Sequence, residues 1–363
     1  MKSVMAEIGT AVPQLRGSQV EIVELSKAIS TFGGKSDRFL NGIHARSGVD
    51  FRHSVLFDTP SAPIMSRQSF YASAEDENDR GPTTAERMRS YKQHASALAI
   101  QSSAAALASN QLAANEIDHL VTVSCTGFAA PGVDLSIIQA LELPPSVTRT
   151  NIGFMGCHAA LNALRVGSSL VESKGGNVLV SATELCSLHL QYGAEGDQAI
   201  ANLLFADGSA AVVLRQKSAA ANSAWPIRSS SSTAIPNTSE HMSWRIGDHG
   251  FEMTLSASVP SIIYESVLPW LQDWLGQHNL TPKDIESWAI HPGGPKVISA
   301  FAEAVGLDDA KTEASRDVLR QYGNMSSPTV LFVVDRLRAT GAKLPCVAIA
   351  FGPGLAIEAT LFA

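Results

Sequence analysis

Apolar and polar positions follow two different periods along this chain. Ile117-Asp118-His119-Leu120-Val121-Thr122-Val123 runs into a short buried strand. Val178-Leu179-Val180-Ser181-Ala182 and Ala210-Ala211-Val212-Val213-Leu214 carry the same signature. So do Ser287-Trp288-Ala289-Ile290 and Cys346-Val347-Ala348-Ile349-Ala350-Phe351 near the end. Between them lie segments with helical spacing. Met88, Tyr91, Ala95 and Leu98 fall three or four apart and define one buried helix face. Thr83-Thr84-Ala85-Glu86 reads as the capping box that opens this helix, with Thr83 and Glu86 answering each other's open N–H groups. Ser258 to Leu280 predicts a second long helical region, broken by Pro260 and Pro269. Residues 1–80 are mixed and end in a polar stretch from Ser73 to Arg80. Gln216 to Pro236, rich in Ser, Ala and Thr, predicts a connection between two halves. Strands alternating with helices imply a mostly parallel sheet under helical cover.

The order of these elements repeats. Ser124, at the end of a strand, precedes Cys157 by 33 residues, and His291, at the end of another, precedes Asn324 by 33 residues. Each of the turns Gly156-Cys157 and Gly323-Asn324 leads into a helix and then a further apolar strand. The repeat predicts a duplicated α/β unit, with residues 1–220 and 221–363 as its halves. Duplication would gather Cys157, His291 and Asn324 around one central cleft.

Those residue types suit acyl chemistry. Cys157 enters a helix from a Gly turn, in Asn151-Ile152-Gly153-Phe154-Met155-Gly156-Cys157-His158. A thiol attacks as thiolate; a helix N-terminus and an imidazolium, here His291, are both expected to lower its pKa. A lone cysteine is more often a small buried hydrophobe. His291 is followed by Pro292-Gly293-Gly294-Pro295, which leaves open space beside the ring. Asn324 alone reads equally as a helix cap, with Pro328 at an early helical position. Beside His291 it becomes the second donor of an oxyanion hole for a thioester enolate. Ala350-Phe351-Gly352-Pro353-Gly354-Leu355 has the turn of a substrate-shaping loop.

Composition narrows the setting. The chain has 363 residues, is 45% hydrophobic and carries a net charge of -7. That charge argues against bulk attraction to nucleic acid or an anionic membrane, and not against a small anionic substrate. Cys125, Cys157, Cys186 and Cys346 form no C-x-x-C pair, which predicts free thiols in a reducing compartment. Glu7 interrupts the apolar opening, so no signal peptide is read there, and no apolar run reaches the length of a membrane span. A cytoplasmic enzyme is expected.

Gly156-Cys157, His291-Pro292-Gly293-Gly294-Pro295, Gly323-Asn324-Met325-Ser326-Ser327 and Gly352-Pro353-Gly354 together resemble type III polyketide synthases. These form the chalcone and stilbene synthase family of the thiolase superfamily. The similarity runs from about residue 84 to the C-terminus and more loosely before it. It implies a thiolase-like duplicated αβαβα five-layer fold, a homodimer, no metal or cofactor, and acyl-CoA and malonyl-CoA as substrates, with an acyl carrier protein as a possible starter donor. It assigns Cys157 as acyl carrier and His291 and Asn324 as decarboxylation and enolate-stabilising groups. Phe205 matches the aromatic gatekeeper; Met253 stands where the second is usually Phe. Trp244 replaces a cavity-floor Gly. Cys125, Cys186 and His189 match cavity-wall threonines, with Thr126 beside the first. Ser326 joins the substrate-facing set, and Ala129 and Ala130 are small where the dimer-crossing loop often has larger side chains. Arg46 and Arg52 fall in the family's basic cluster and are expected, with Gly293, Gly294 and Pro295, to contact coenzyme A; Lys296 is a weaker candidate.

The Trp-x-x-x-Asp-x-Gly-Phe pattern resembles bacterial members that make alkylpyrones or alkylresorcinols from aliphatic starters. A tunnel for such a starter is therefore expected. The expected reaction is iterative condensation followed by closure to a pyrone, resorcinol or phloroglucinol. The rivals are a chalcone-type synthase with an aromatic starter, a β-ketoacyl carrier-protein synthase performing one condensation, a non-catalytic scaffold, and a Cys-His peptidase.

Overall fold

The computed structural model describes residues 3–30, 41–42, 46–60, 62–193, 196–217 and 224–363. The first half contributes strands β1 (Ser3–Ala11), β2 (Arg16–Ser18), β3 (Phe51–His53), β4 (Ile117–Ser124), β5 (Thr148–Gly153), β6 (Asn177–Leu185) and β7 (Asp207–Gln216). Its helices are α1 (Gln19–Ser30), α2 (Thr84–Ser109), α3 (Val133–Leu141), α4 (Ala159–Lys174) and α5 (Gly196–Leu204). The second half contributes β8 (Trp225–Ala234), β9 (Met242–Gly247), β10 (Gly250–Leu255), β11 (Ser287–Ile290), β12 (Cys346–Gly352) and β13 (Ala356–Phe362). Its helices are α6 (Val259–Gly276), α7 (Pro295–Val305), α8 (Asp309–Tyr322) and α9 (Thr329–Ala339).

The pairing pattern repeats about the β1–β8 contact. In the first half β4 is parallel to β6, and β7 is antiparallel to both β6 and β1. In the second, β11 is parallel to β12, and β13 is antiparallel to both β12 and β8. The nine strands run β11-β12-β13-β8-β1-β7-β6-β4-β5. The boundary expected at residue 220 lies outside the described residues. Core clusters give five layers. Helices α2 and α3 cover one outer face with Ala99, Leu107 and Ile137. At the centre, α4 and α9 lie buried between the halves, through Leu161, Leu164, Leu331 and Val334. Helices α6 and α7 cover the other outer face with Ile263, Leu271 and Phe301.

Three expectations change. The sheet is mixed rather than mostly parallel, because the short Pro353–Leu355 turn returns β13 antiparallel to β12. The Ser/Thr-rich segment is not a linker: Trp225–Ala234 is strand β8, whose hydroxyl-bearing residues pair with β13. Helix α6 runs unbroken from Val259 to Gly276. Pro260 stands in its first turn, where its missing N–H costs nothing. Pro269 is held inside by buried Val267 and Leu271 on either side. The capping box of α2 forms as expected: Thr83 Oγ1 accepts from Glu86 N, and Glu86 Oε2 accepts from Thr83 N at 2.8 Å.

Because α4 is enclosed by both halves, a cavity in it finds no solvent to relax into. Leu164→Ala should lower the unfolding free energy by about 2–5 kcal/mol in denaturant titration.

Candidate active site

The C-terminal ends of β4, β5, β6, β11 and β12 converge on one region, where open α/β sheets place their ligands. Cys157 sits in a single turn, Gly156–His158, leading directly into α4. Gly156 has φ +78°, and a Cβ there would lie 2.2 Å from Pro353 Cδ. Only glycine lets this turn press against the loop after β12, so Gly352-Pro353-Gly354 shapes the wall beside the thiol.

The Asn324 and Ser326 side chains face the Cys157 thiol and favour its ionised form. Asn324 Oδ1 accepts from Ser326 N at 2.8 Å, and α9 starts only at Thr329 with Pro328 as its N-cap residue. Asn324 is thus not a helix cap. A two-bond bridge joins it to the Phe205 segment: Asn324 N donates to Leu204 O and Ala206 N to Asn324 O, both at 2.9 Å. His291 follows β11, its N–H donating to Ile349 O of β12 at 2.8 Å. The ring is 1% exposed, and neither Nδ1 nor Nε2 has a hydrogen-bond partner. An imidazole so placed is ready for a ligand.

The electrostatics differ from the imidazolium–thiolate pair expected. Burial, with the neighbouring His158, pulls His291 down to about 3, so the imidazole is neutral. Burial pushes the Cys157 thiol up to about 11, against the opposing effect of Ser326 and Asn324. Sequence could not foresee this, because the depth of the cleft decides it.

The cavity touching Cys157 is about 20 Å³ and is lined by Cys125, Thr126, Cys186, Phe205, Trp244, Met253, Ser326 and Pro353, among others. One water needs about 10–15 Å³ on this measure. The expected tunnel is therefore not open here. Trp244 and Met253 close it as directly paired residues of the β9–β10 hairpin. Trp244 Nε1 donates to Cys125 O at 2.7 Å. His189 Nε2 bonds Thr126 O at 2.6 Å, its Nδ1 accepts from Phe251 N at 3.0 Å, and its ring stacks on Phe251 at 4.2 Å. Burial holds it neutral, down to about 3. His189 thus fastens the hairpin to the loop after β4.

Arg52 is not where coenzyme A phosphates could meet it: its guanidinium is buried, with Nη1 donating to Asn202 O and Phe205 O and with Nε and Nη2 unpartnered among the described residues. A three-residue strand, β3, carries it inward. Arg46 is exposed, with Nε donating to Gly42 O at 3.0 Å. Lys296 is exposed, and Gly293, Gly294 and Pro295 form the turn into α7. Among the described residues no group of three or more His, Cys, Asp or Glu could hold a metal ion, and no helix is long and apolar enough to cross a membrane.

Glu184 escaped the sequence reading. Its Oε2 accepts from Cys125 N (2.9 Å), Thr126 N (3.1 Å) and Thr126 Oγ1 (2.7 Å), and Oε1 accepts from Ser327 Oγ at 2.6 Å. A lone carboxylate inside the apolar run Val178–Leu185 was the available signal.

Residues 63–217 match the N-terminal domain of chalcone and stilbene synthases, and residues 226–363 match their C-terminal domain. The chain belongs to the chalcone and stilbene synthase family. It is a type III polyketide synthase, an acyltransferase-type enzyme. An alpha-pyrone synthesis polyketide synthase-like protein of Mycobacterium tuberculosis is 37% identical over 289 residues, 77% of this chain and 73% of that one. The 1,3,6,8-tetrahydroxynaphthalene synthase of Streptomyces peucetius subsp. caesius is 32% identical over 98% of this chain and 92% of its own. The crystal structure of PKS-I from the brown alga Ectocarpus siliculosus superposes with a TM-score of 0.89 at 29% identity, covering 99% of this chain and 98% of that one. This type III polyketide synthase thus has the thiolase-like fold of its family.

Glu184→Gln would turn an amide N–H toward groups that are themselves donors. Denaturant unfolding of that variant should show a loss of about 2–3 kcal/mol, the worth of a charge-assisted bond replaced by a mismatch.

Proposed function

We propose that this type III polyketide synthase loads an aliphatic acyl starter from coenzyme A onto Cys157 and extends it with malonyl units. The observation that carries this is the buried His291 ring with two unpartnered nitrogens, in the same cleft as a buried thiol that Asn324 faces. In loading, Cys157 attacks the starter carbonyl, and its thiol proton passes through a base, for which His291 is the candidate, to the departing coenzyme A sulfur, which leaves as the thiol. Malonyl-CoA then loses CO2. The electron pair of the broken bond becomes an enolate, whose oxygen is met by hydrogen bonds from His291 and Asn324. The enolate carbon attacks the acyl-Cys157 thioester and frees the thiolate. The lengthened chain returns to Cys157 for another round, and ring closure releases the product. No metal or other cofactor enters these steps.

The wall residues support an aliphatic starter, which the closed cavity of about 20 Å³ would admit once Met253 turns aside. Trp244 fills the floor where an aromatic ring would lie, whereas a slender chain passes the flexible Met253 side chain at little cost. Coenzyme A would approach the turn Gly293-Gly294-Pro295, with Arg46 and Lys296 as the exposed cations that meet phosphate. A carrier protein could present the starter from the same side. Exposed Phe128, Phe154 and Met155, beside the exposed end strand β5 and the Ala129-Ala130 loop, form the face on which a second copy would pack. A cytoplasmic location fits the free buried thiols.

Mass spectrometry of products from malonyl-CoA and acyl-CoA starters from acetyl to palmitoyl, with benzoyl and coumaroyl included, tests the reading. Tri- or tetraketides from aliphatic starters, absent with Cys157→Ala, are expected. A single condensation product would instead indicate a β-ketoacyl synthase, and peptide hydrolysis or no turnover would remove the assignment. Trp244→Gly should open the floor and raise kcat/KM for coumaroyl-CoA by about tenfold or more, on the scale that pocket volume sets for selectivity.

A further inference from the structure

We infer that Arg52 is a positioning residue that fixes the Phe205 gate and the Asn324 turn to each other, so that the enolate-binding amide is held in place by a buried cation. The inference rests on the reaction proposed above. Arg52 is only 3% exposed; the buried Asp207 carboxylate acts on it from beyond salt-bridge distance, and its Nε and Nη2 have no hydrogen-bond partner among the described residues. Burying a guanidinium without direct ion pairing is costly, and here its Nη1 spends itself on main-chain carbonyls. It donates to Asn202 O at 2.7 Å and to Phe205 O at 2.9 Å. These carbonyls stand at and just past the end of α5, where the last carbonyls of a helix lack N–H donors and favour a cation.

The stem of the same side chain reaches the other side of the bridge. Gly323 has φ +73°, and a Cβ there would lie 2.8 Å from Arg52 Cγ and 3.0 Å from Leu204 O. Arg52 therefore occupies the space above the residue that precedes Asn324. Its head holds the carbonyl of Phe205, its stem abuts Gly323, and the backbone bridge Leu204–Asn324–Ala206 runs between them. Strand β3 is itself tied to the end of α8: Asp50 N donates to Arg320 O at 2.8 Å, and His53 stacks on Tyr322 at 5.9 Å. Any shift of Arg52 is thus passed to the gate and to Asn324 together. Cys157, carried into α4 from the other direction, does not touch Arg52.

That separation defines the test. Arg52→Lys and Arg52→Met are each assayed for malonyl-CoA decarboxylation without starter, for acylation of Cys157 by an acyl-CoA in intact-protein mass spectrometry, and for thermal midpoint. Lysine keeps the charge but cannot hold both the carbonyl contacts and the stem position. Decarboxylation should fall about tenfold in Arg52→Lys and further in Arg52→Met, since displacements of about 1 Å at a reacting centre cost this much or more. Acylation of Cys157 should fall by a smaller factor than decarboxylation, because the gate and Asn324 border the thiol while only the enolate depends on the Asn324 amide as a donor. If Arg52→Met does not fold, Arg52→Lys carries the comparison. Unchanged decarboxylation in a folded variant overturns the inference. So does an equal fall of both steps in parallel with the thermal midpoint, which would make Arg52 a part of the fold alone. Failure of the wild type to decarboxylate malonyl-CoA would instead sink the proposed reaction, and the role of Arg52 with it.

Discussion

Both halves of the molecule meet at one buried carboxylate. Glu184, on β6, accepts hydrogen bonds from the backbone and hydroxyl of the Cys125-Thr126 loop in its own half and from Ser327 in the other. Burial raises its pKa, and those bonds are what oppose that. The cost of burying this charge is met only while β4, β6 and the turn before α9 stay in register. The loop it holds carries the cavity wall and the carbonyl that receives Trp244 Nε1. The turn it holds carries Asn324 and Ser326. Geometry around Cys157 therefore depends on a group that touches neither the thiol nor the imidazole.

The same depth that makes Glu184 expensive sets the charge state of the reacting groups. A buried thiol and a buried imidazole are both pushed toward neutrality. Such a site holds little net charge, so an enolate formed within it would feel the fixed donors with little screening by water. Donors already positioned need not reorganise as charge develops. Ser326 and Asn324, which face the Cys157 sulfur, would serve a departing thiolate at the end of each condensation in the proposed cycle.

How much of this was legible follows from which signals are local. Cys157, His291 and Asn324 stood out because each lies in a glycine-marked turn, and the repeated strand pairing is real, although helix α8 precedes Asn324 where strand β5 precedes Cys157. The Thr83–Glu86 cap and the stripe of Tyr91, Ala95 and Leu98 were equally local. What failed depended on partners distant in sequence. The Ser/Thr run at 229–233 reads as a linker until β13 is present to pair with it. Arg52 reads as a surface cation until the end of α5 supplies carbonyls for it. Trp244 and Met253 were found separately, but their direct pairing across one hairpin, and so the closed cavity, comes only from register. Glu184 was passed over because a strand with one charged residue gives no hint of the five donors that surround it.

Duplication explains why these distant partners matter most at the site. Each half alone supplies strand ends and a glycine turn into a central helix. The first half's turn presents a thiol, and the second half's turn presents an amide beside a histidine. The two become one centre only through contacts that cross between halves: Gly156 against Pro353, Glu184 to Ser327, and Phe205 bridged to Asn324. Each of these is a close backbone approach or a buried hydrogen bond, interactions that tolerate little displacement. A cavity built this way is shaped less by the residues that line it than by how rigidly the two halves are clamped. In the proposed reaction, substrate selection and enolate binding would then be set by the same crossing contacts, since Phe205 and Asn324 share a backbone bridge and cannot move independently.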